Sequence, residues 1–466
     1  MATSALVDDS SIWIGYESKG LLSLNLNGTH KATFSLENKK LPSNQIRSLL
    51  KDENGQIWVA TFEGITILKN HQVKLVVNQQ NYPELPNHSI WSLYKDSHKN
   101  IWIGTWMGGL AFHNTFNNSF LHYNKSTSKN SLSDNIVSCL AESINKRDIL
   151  IGTDDGDLNS FNPETNIFTK IPVFYNGQEV KNIKSIAYDK DQTLWIGTYG
   201  NGLLYRTKHD IDFKQLTPPF NMGLQVLDLL PTENGLWVSD YPNGVYFYNF
   251  ETKEFTRFLH NPLDINTISN NNVRHIIKDK HDNIWFATEN GLNVLKKGSR
   301  DFIHIFYQEN NAKSIATNYI YSLHEGSQGY IWIGTNGHGL DKYDPNTDTT
   351  EHFTEKDGLT GNEIFSILED SEHNLWITTE NGISKFNTVT NETQSFISNK
   401  GILNNHFHPT AALVSTDKEL YFGGSNGLIR FYPKEIQINP FLPITTITHF
   451  YINNEVVLPY TKKSCS

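Results

Sequence analysis

Cysteine is nearly missing from this chain of 466 residues: Cys139 and Cys465 are its only two. That excludes a disulfide framework and any paired-cysteine metal or redox motif, and leaves the redox compartment unread. No apolar run approaches the roughly 18 residues of a membrane-spanning helix. Met1 to Asp9 carries neither the basic stretch nor the apolar stretch of a secretory leader. Positive charge is in deficit, with 39 basic against 49 acidic residues and a net charge of −10. A general nucleic-acid or anionic-membrane binder is thereby disfavoured, although a local basic patch is still compatible. Helical periodicity is also lacking beyond a few residues anywhere. Catalytic signatures are equally sparse: there is no Gly-x-Ser-x-Gly elbow, no His-Glu-x-x-His and no phosphate-binding glycine loop.

What is present is a core and a repeat. Hydrophobic residues make up 38% and aromatics 12%, enough to bury substantial surface. Length alone would set a prior of roughly three domains, which all-β architectures often break. One phrase recurs: an apolar residue, Trp, an apolar residue, Gly or a small residue, Thr, a short loop, then Gly-Leu or Gly-Ile. It centres on Trp13, Trp58, Trp102, Trp195, Trp237, Trp285, Trp332 and Trp376, with degenerate copies at Leu150 and Tyr421. The successive spacings are 45, 44, 48, 45, 42, 48, 47, 44 and 45 residues. Eight of the ten tryptophans occupy this one position.

Each unit parses into four short strands. The first alternates with period 2, as in Ile46 to Leu50 or Ile364 to Leu368. An Asp-Asn-Gly turn, such as Asp52 to Gly55, leads into the Trp strand. A glycine-marked turn then precedes a third strand and a frayed, Phe-rich fourth. Four strands per repeat of about 45 residues predicts an all-β chain of propeller blades. The eight ladder indoles are expected to pack between adjacent blades rather than to mark a sugar-stacking surface.

Ten repeats exceed the usual four to eight blades of one ring. The expected partition is a partial N-terminal propeller of about three blades over 1–129 and a seven-bladed propeller over 130–436. Residues 437–466 would then form a linker and an opening β-sandwich strand from Ile444. A closed ten-blade ring, or a two-plus-eight split, is the alternative. Pro433 interrupts the fourth strand of the last blade, and a proline cannot donate to a ladder. Ser119 to Tyr123 alternates correctly and is predicted to fill that place.

Propeller geometry also predicts where function sits. The loop leading into the first strand and the turn between the second and third strands lie on one side, around the channel mouth. The turns contribute Trp106, Tyr199, Tyr241, Glu289, Asn336, His338 and Glu380. The leading loops contribute Asn44, His88, Asn271, Asn318, Tyr319, Asn362, Glu363, Asn405 and His406. Aromatic rings flanked by Asn, Glu and His suit a sugar, whose C–H face stacks while its hydroxyls take polar partners. The bland alternative is that each Asn merely caps a turn through its own backbone. Trp106 lacks such an explanation, because it lies in a turn outside the ladder. The ligand-binding residues expected are Trp106, Tyr199, Tyr241, Asn336, His338, Glu380 and His406. His406 and His408 fall on one strand face and invite a metal, but no third ligand is evident, so neither a metal nor a cofactor is expected. The Asp-Asn-Gly turns resemble calcium loops only faintly, and their recurrence in nearly every blade favours hydrogen-bonded turns.

The unit Asn-x-Ile-x-Ser-Leu-x-x-Asp-x-x-x-x-Ile-Trp-Ile-Gly-Thr-x-x-x-Gly-Leu resembles the regulator-propeller repeat of periplasmic sensor regions in hybrid two-component histidine kinases. Lys400 to Phe407, Lys418 to Leu428 and Phe431 to Pro433 look like that family's last blade. Ile444 to Val457 is similar to the start of the Ig-like β-sandwich that follows it. The resemblance implies an extracytoplasmic, non-enzymatic sensor that binds an oligosaccharide released from a glycan and controls genes for its degradation. It implies a homodimer in the full-length sensor, membrane tethering only through segments missing from this chain, and no direct nucleic-acid contact by this region. The pattern is expected to be truncated at both ends, with the early blades, the membrane helix and every kinase segment absent. The alternatives are a propeller lyase or glycosidase acting on a polysaccharide, and a protein-interaction scaffold. The net negative charge favours a neutral or weakly acidic sugar.

Overall fold

A computed structural model describes the chain except residues 80–81, 83–84, 115–119, 129, 221–222, 398–405, 437–449, 453–454 and 458–466. Among the described residues the only helical elements are two short 3-10 turns, Glu355–Asp357 and Pro433–Glu435. The rest is antiparallel strand and turn. Sheets are numbered here in chain order by their Trp-position strands. The chain divides into two compact units, one of 1–118 with 437–466 and the other of 119–436.

The second unit is a closed β-propeller of seven four-stranded sheets, 4 to 10. Their inner strands are Val137–Glu142, Ile183–Tyr188, Val226–Pro231, Val273–Lys278, Ile320–Glu325, Ile364–Glu369 and Phe407–Val414. Each is the neighbour of the next in cyclic order, and the last lies against the first. Sheet 10 takes its fourth strand from far upstream: Leu121–Tyr123 pairs with Gly427–Phe431, in the register Leu121 to Arg430, His122 to Ile429 and Tyr123 to Leu428. Leu121–Tyr123, which complete the last sheet, accordingly fall in the second unit of 119–436. Pro433 opens a 3-10 turn, where its missing N–H costs nothing.

The first unit holds sheet 1 (residues 2–34), sheet 2 (46–77) and sheet 3 (90–113). Sheet 3 has three strands among the described residues, since the stretch that would supply its fourth pairs in sheet 10. Near the C-terminus, Phe450–Ile452 and Glu455–Val457 form a two-stranded hairpin rather than one long strand. Ile444 to His449 lie outside the described residues.

One rule of packing explains the ladder. Trp195, Trp237, Trp285, Trp332 and Trp376 each share an apolar cluster with the inner and second strands of the following sheet. Tyr421 takes the same place against sheet 4 and closes the ring, and Leu150 takes it against sheet 5. Trp13 and Trp58 do so in the first unit. Trp102 departs from the expectation of burial. It is 38% exposed, because among the described residues no following sheet of its unit covers it. The turn aspartates belong to the same device. Asp52 Oδ1 accepts the N–H groups of Asn54 and Gln56, and Oδ2 accepts the indole N–H of Trp58 at 3.0 Å. Asp96, Asp189, Asp279 and Asp370 hold their own indoles at 2.8–2.9 Å. These carboxylates are thus occupied by turn and indole donors. The glycine after the Trp is steric: a Cβ on Gly334 would lie 2.3 Å from Ser322 Oγ and 2.9 Å from Ile364 of the next sheet.

Candidate functional site

The pairing of inner and second strands slips by one residue near the start of nearly every inner strand. Ile46 faces Thr61 and Ser48 faces Ala60, leaving Arg47 as the extra residue of a bulge. The same slip isolates Trp91, Lys184, Arg274, Tyr321 and Phe365. A bulge re-aims its side chain and ends regular pairing, which is why such positions serve binding sites. Beside each bulge lies the turn between strands two and three. The N–H groups of Phe62, Trp106, Tyr199, Tyr241, Glu289 and Asn336 donate to carbonyls of the loop leading into the inner strand, at 2.8–3.3 Å. Leading loops and turns therefore occupy one end of each sheet.

In the first unit these positions build an aromatic platform. Trp91 and Trp106 lie 4.7 Å apart between ring centroids, tilted by 39°. They are 49% and 47% exposed, and they are the two tryptophans outside the ladder. The Arg47 guanidinium lies 4.4 Å over Trp91 and 5.9 Å from the Phe62 ring. His88 meets the Phe62 edge at 6.3 Å and bonds Gln79 through Nδ1 at 3.3 Å.

In the seven-sheet ring the equivalent positions of sheets 6 to 9 form a paired network. Glu289 accepts from Asn272 (2.6 Å), from Arg274 through Nε (3.0 Å) and its terminal nitrogen, and from the hydroxyls of Tyr319 (3.0 Å) and Tyr241 (3.3 Å). Arg274 lies over the rings of Tyr241, Tyr319 and Tyr321 at 5.5–5.7 Å. Burial raises the Glu289 pKa, but the bonds from Asn272 and Arg274 outweigh it and hold the carboxyl below its usual range. Tyr321 donates to Glu363 at 3.0 Å. Lys184 pairs with Asp154 at 2.5 Å. Within the ring the inner strands enclose a channel of about 590 Å³, lined by Asp228, His275, Lys278, His324 and Glu325 together with serines and aliphatic residues.

The residues expected from sequence fall into three groups. Trp106 and Tyr199 expose their rings, at 47% and 51%, and Tyr241 belongs to the Glu289 network. Asn336 and His338 share one turn, the imidazole Nδ1 lying 2.9 Å from the Asn336 carbonyl, and His406 is exposed beside Ser425. Glu380 is occupied otherwise: its carboxylate accepts the N–H groups of Asn362 (3.1 Å) and Glu363 (3.0 Å), which fixes the loop. Asn44, Asn271, Asn318 and Asn362 each accept a backbone N–H from the chain leaving the preceding outer strand, at 2.7–3.0 Å. All four thus serve backbone donors 7–11 residues upstream and not their own turn. Asn405 lies outside the described residues. At the His406–His408 pair, burial lowers the His408 pKa, with the Asp154 charge acting against that shift. The bulge residues Arg47, Trp91, Arg274 and Tyr321 were missed. Their signal was the slot directly after the Ile or Val that opens the first strand, which holds a cationic or aromatic side chain at Arg47, Trp91, Lys184, Arg274, Tyr321 and Phe365.

Six stretches match the two-component regulator propeller repeat: residues 40–63, 84–107, 177–200, 267–290, 314–337 and 358–381. Each runs from the leading loop through the Trp strand into the following turn, the region that carries the packing rule. Histidine kinase P4 of Formosa agariphila is 25% identical over 365 residues, which is 75% of this chain and 26% of the kinase. The chain thus spans about a quarter of that relative's length. The extracellular domain of a hybrid two-component system of B. thetaiotaomicron is similar in structure, with TM-score 0.68 and 23% identity over 98% of this chain and 66% of that one. Streptogramin B lyase, at 12% identity and TM-score 0.50, covers 68% of this chain and 99% of its own, and shares the fold alone. Sheets and repeats make the chain a β-propeller of the two-component regulator type. Its repeats and its fold are similar to those of proteins of two-component systems, a histidine kinase and an extracellular domain among them.

Proposed function

We propose that this region is the extracytoplasmic part of a two-component histidine kinase, and that it binds an oligosaccharide released from a glycan to control polysaccharide-utilisation genes. The observation that carries the ligand reading is the platform of the first unit. Two tryptophans free of any ladder role lie together and half-exposed, on bulge and turn positions of one sheet. Exposed indoles next to hydrogen-bonding side chains match the two faces of a sugar ring. An extracytoplasmic place is supported by the B. thetaiotaomicron structure, itself an extracellular domain. Signalling then requires the ligand to favour one arrangement of the sensor over another, since equal affinity for both shifts nothing.

The test is incubation with a panel of neutral and charged glycan oligosaccharides, reading melting temperature and new reducing or unsaturated ends together. Stabilisation without turnover is the expected result, through binding linkage. Turnover would replace the sensor reading with a propeller lyase or glycosidase. Neither response to any glycan would leave a protein-interaction scaffold as the better reading.

A further inference from the structure

Arg47 stands apart from the other cations at the loop ends of the strands. Lys184 is paired with Asp154, and Arg274 is paired with Glu289. Arg47 forms no ion pair with a carboxylate among the described residues. Its neighbours are rings, Trp91 at 4.4 Å and Phe62 at 5.9 Å. Stacking engages the face of a guanidinium and leaves its in-plane N–H donors for a second partner. Those donors match the two oxygens of a carboxylate or a sulfate in a fork, and such charge-assisted pairs are stronger than neutral hydrogen bonds. The aromatic neighbours also exclude water from one side of the charge, which raises the worth of a counter-charge there. The local positive charge runs against a chain of net charge −10, so it is a feature of the platform and not of the surface at large.

We propose that the platform recognises an acidic sugar: a pyranose stacked on Trp106, with its uronate carboxylate or sulfate ester held by Arg47. This deepens the proposed oligosaccharide reading and rests on it. It narrows the expectation of a neutral or weakly acidic sugar, drawn from net charge, to an acidic one, because recognition follows the local field and not the sum. Arg47 is the specificity-determining residue, and the tryptophans supply affinity common to charged and neutral sugars.

Four probes test this by calorimetry on the full chain: an oligogalacturonate, its carboxyl-reduced form, a sulfated galactan oligosaccharide and its desulfated form. The expected result is that one charged probe binds at least about tenfold more tightly than its neutralised counterpart. Arg47→Met, which keeps the aliphatic cover of Trp91, should lose about tenfold to a hundredfold in affinity for that charged probe and nothing for its counterpart. Its melting temperature should match the parent, and Trp106→Ala should weaken both probes. The uronate and sulfate arms separate the two sources of the anion. Equal affinity for charged and neutralised forms, or an unaffected Arg47→Met, overturns the acidic-sugar inference and leaves the oligosaccharide reading standing. No binding of any of the four also overturns it, and the wider neutral panel then judges the oligosaccharide reading separately.

Discussion

Trp376 and Trp102 come from the same phrase of the same repeat, yet one is 0% exposed and the other 38%. Both indoles bond the aspartate six residues earlier, at 2.8 and 2.9 Å. Their own sheets are thus equivalent, and the difference lies in the neighbouring sheet. Trp376 meets Phe396 and Phe431 at 5.7 and 4.7 Å, inside a cluster that includes Phe407, Leu420 and Phe422 of sheet 10. Trp102 meets Phe112 of its own sheet, itself half-exposed. A propeller repeat therefore encodes half of an interface, and burial arrives only with the next blade. The closed ring completes every half, including the degenerate ones at Leu150 and Tyr421.

The largest effect expected from this comparison is at the ladder. Trp376→Ala should cost about 3–5 kcal/mol through lost burial and the cavity left behind. Trp102→Ala should cost about 1 kcal/mol, as for a half-exposed side chain. Denaturant midpoints of the two variants check the difference, and equal losses would break the rule that the next blade does the burying. Closure gives a second, slightly smaller effect. Phe120 precedes the borrowed strand and packs on Phe396 and Phe431 at 5.2 and 4.7 Å. Phe120→Ala should cost about 3 kcal/mol. An unpaired edge on Gly427–Phe431 would also invite association, so light scattering near the midpoint should rise.

Acid should separate the regions further. Burial raises the Glu369 pKa, but bonds with His324, Ser327 and His373 outweigh it and leave the carboxyl at about 2. A group depressed in the folded state stabilises above its unfolded value and loses that contribution as pH falls through the folded one. Glu369 should therefore support the ring fully above its ordinary 4.5 and withdraw support as pH drops towards about 2. Glu369→Gln should flatten this acid limb of the ring's stability, measured by urea unfolding across the window. A limb of unchanged slope would assign the acid sensitivity to other carboxylates.

The fold was legible because its determinants are periodic. Trp, Asp, Gly and the alternating first strand recur at fixed offsets, so the blade and the face of the Trp could be read from spacing alone. Even the borrowed strand was visible, since Pro433 marks an incomplete ladder and Leu121 to Tyr123 alternates. Sheet 3 was less legible, because the absence of a covering neighbour leaves no mark on Trp102 itself. The candidate site was read in part. Turn geometry pointed to Trp106 and Tyr199, but Glu380 and the loop asparagines satisfy backbone donors, a role that spacing does not reveal. The bulge residues were hidden by strict alternation: a single extra residue moves a side chain off the face that a period of two assigns it.

The smallest stability effect carries the most functional information. Trp106 lies in a turn, and Tyr199 lies in the equivalent turn of the ring, both with about half their surface in water. Trp106→Ala and Tyr199→Ala should each change folding stability by no more than about 0.5–1 kcal/mol. Their effects on binding should differ, because only Trp106 has a second indole at 4.7 Å and a cation stacked on that partner. Losing one stacked ring should weaken oligosaccharide binding by about tenfold for Trp106→Ala, since an aromatic contact contributes on the order of 1 kcal/mol beyond area burial. Tyr199→Ala should weaken it less. Calorimetry with the same oligosaccharide on the parent and both variants decides between the two regions. A larger loss in Tyr199→Ala would transfer the site to the seven-sheet ring, where the Arg274–Glu289 network offers aromatic rings around a neutralised charge and would select a neutral sugar.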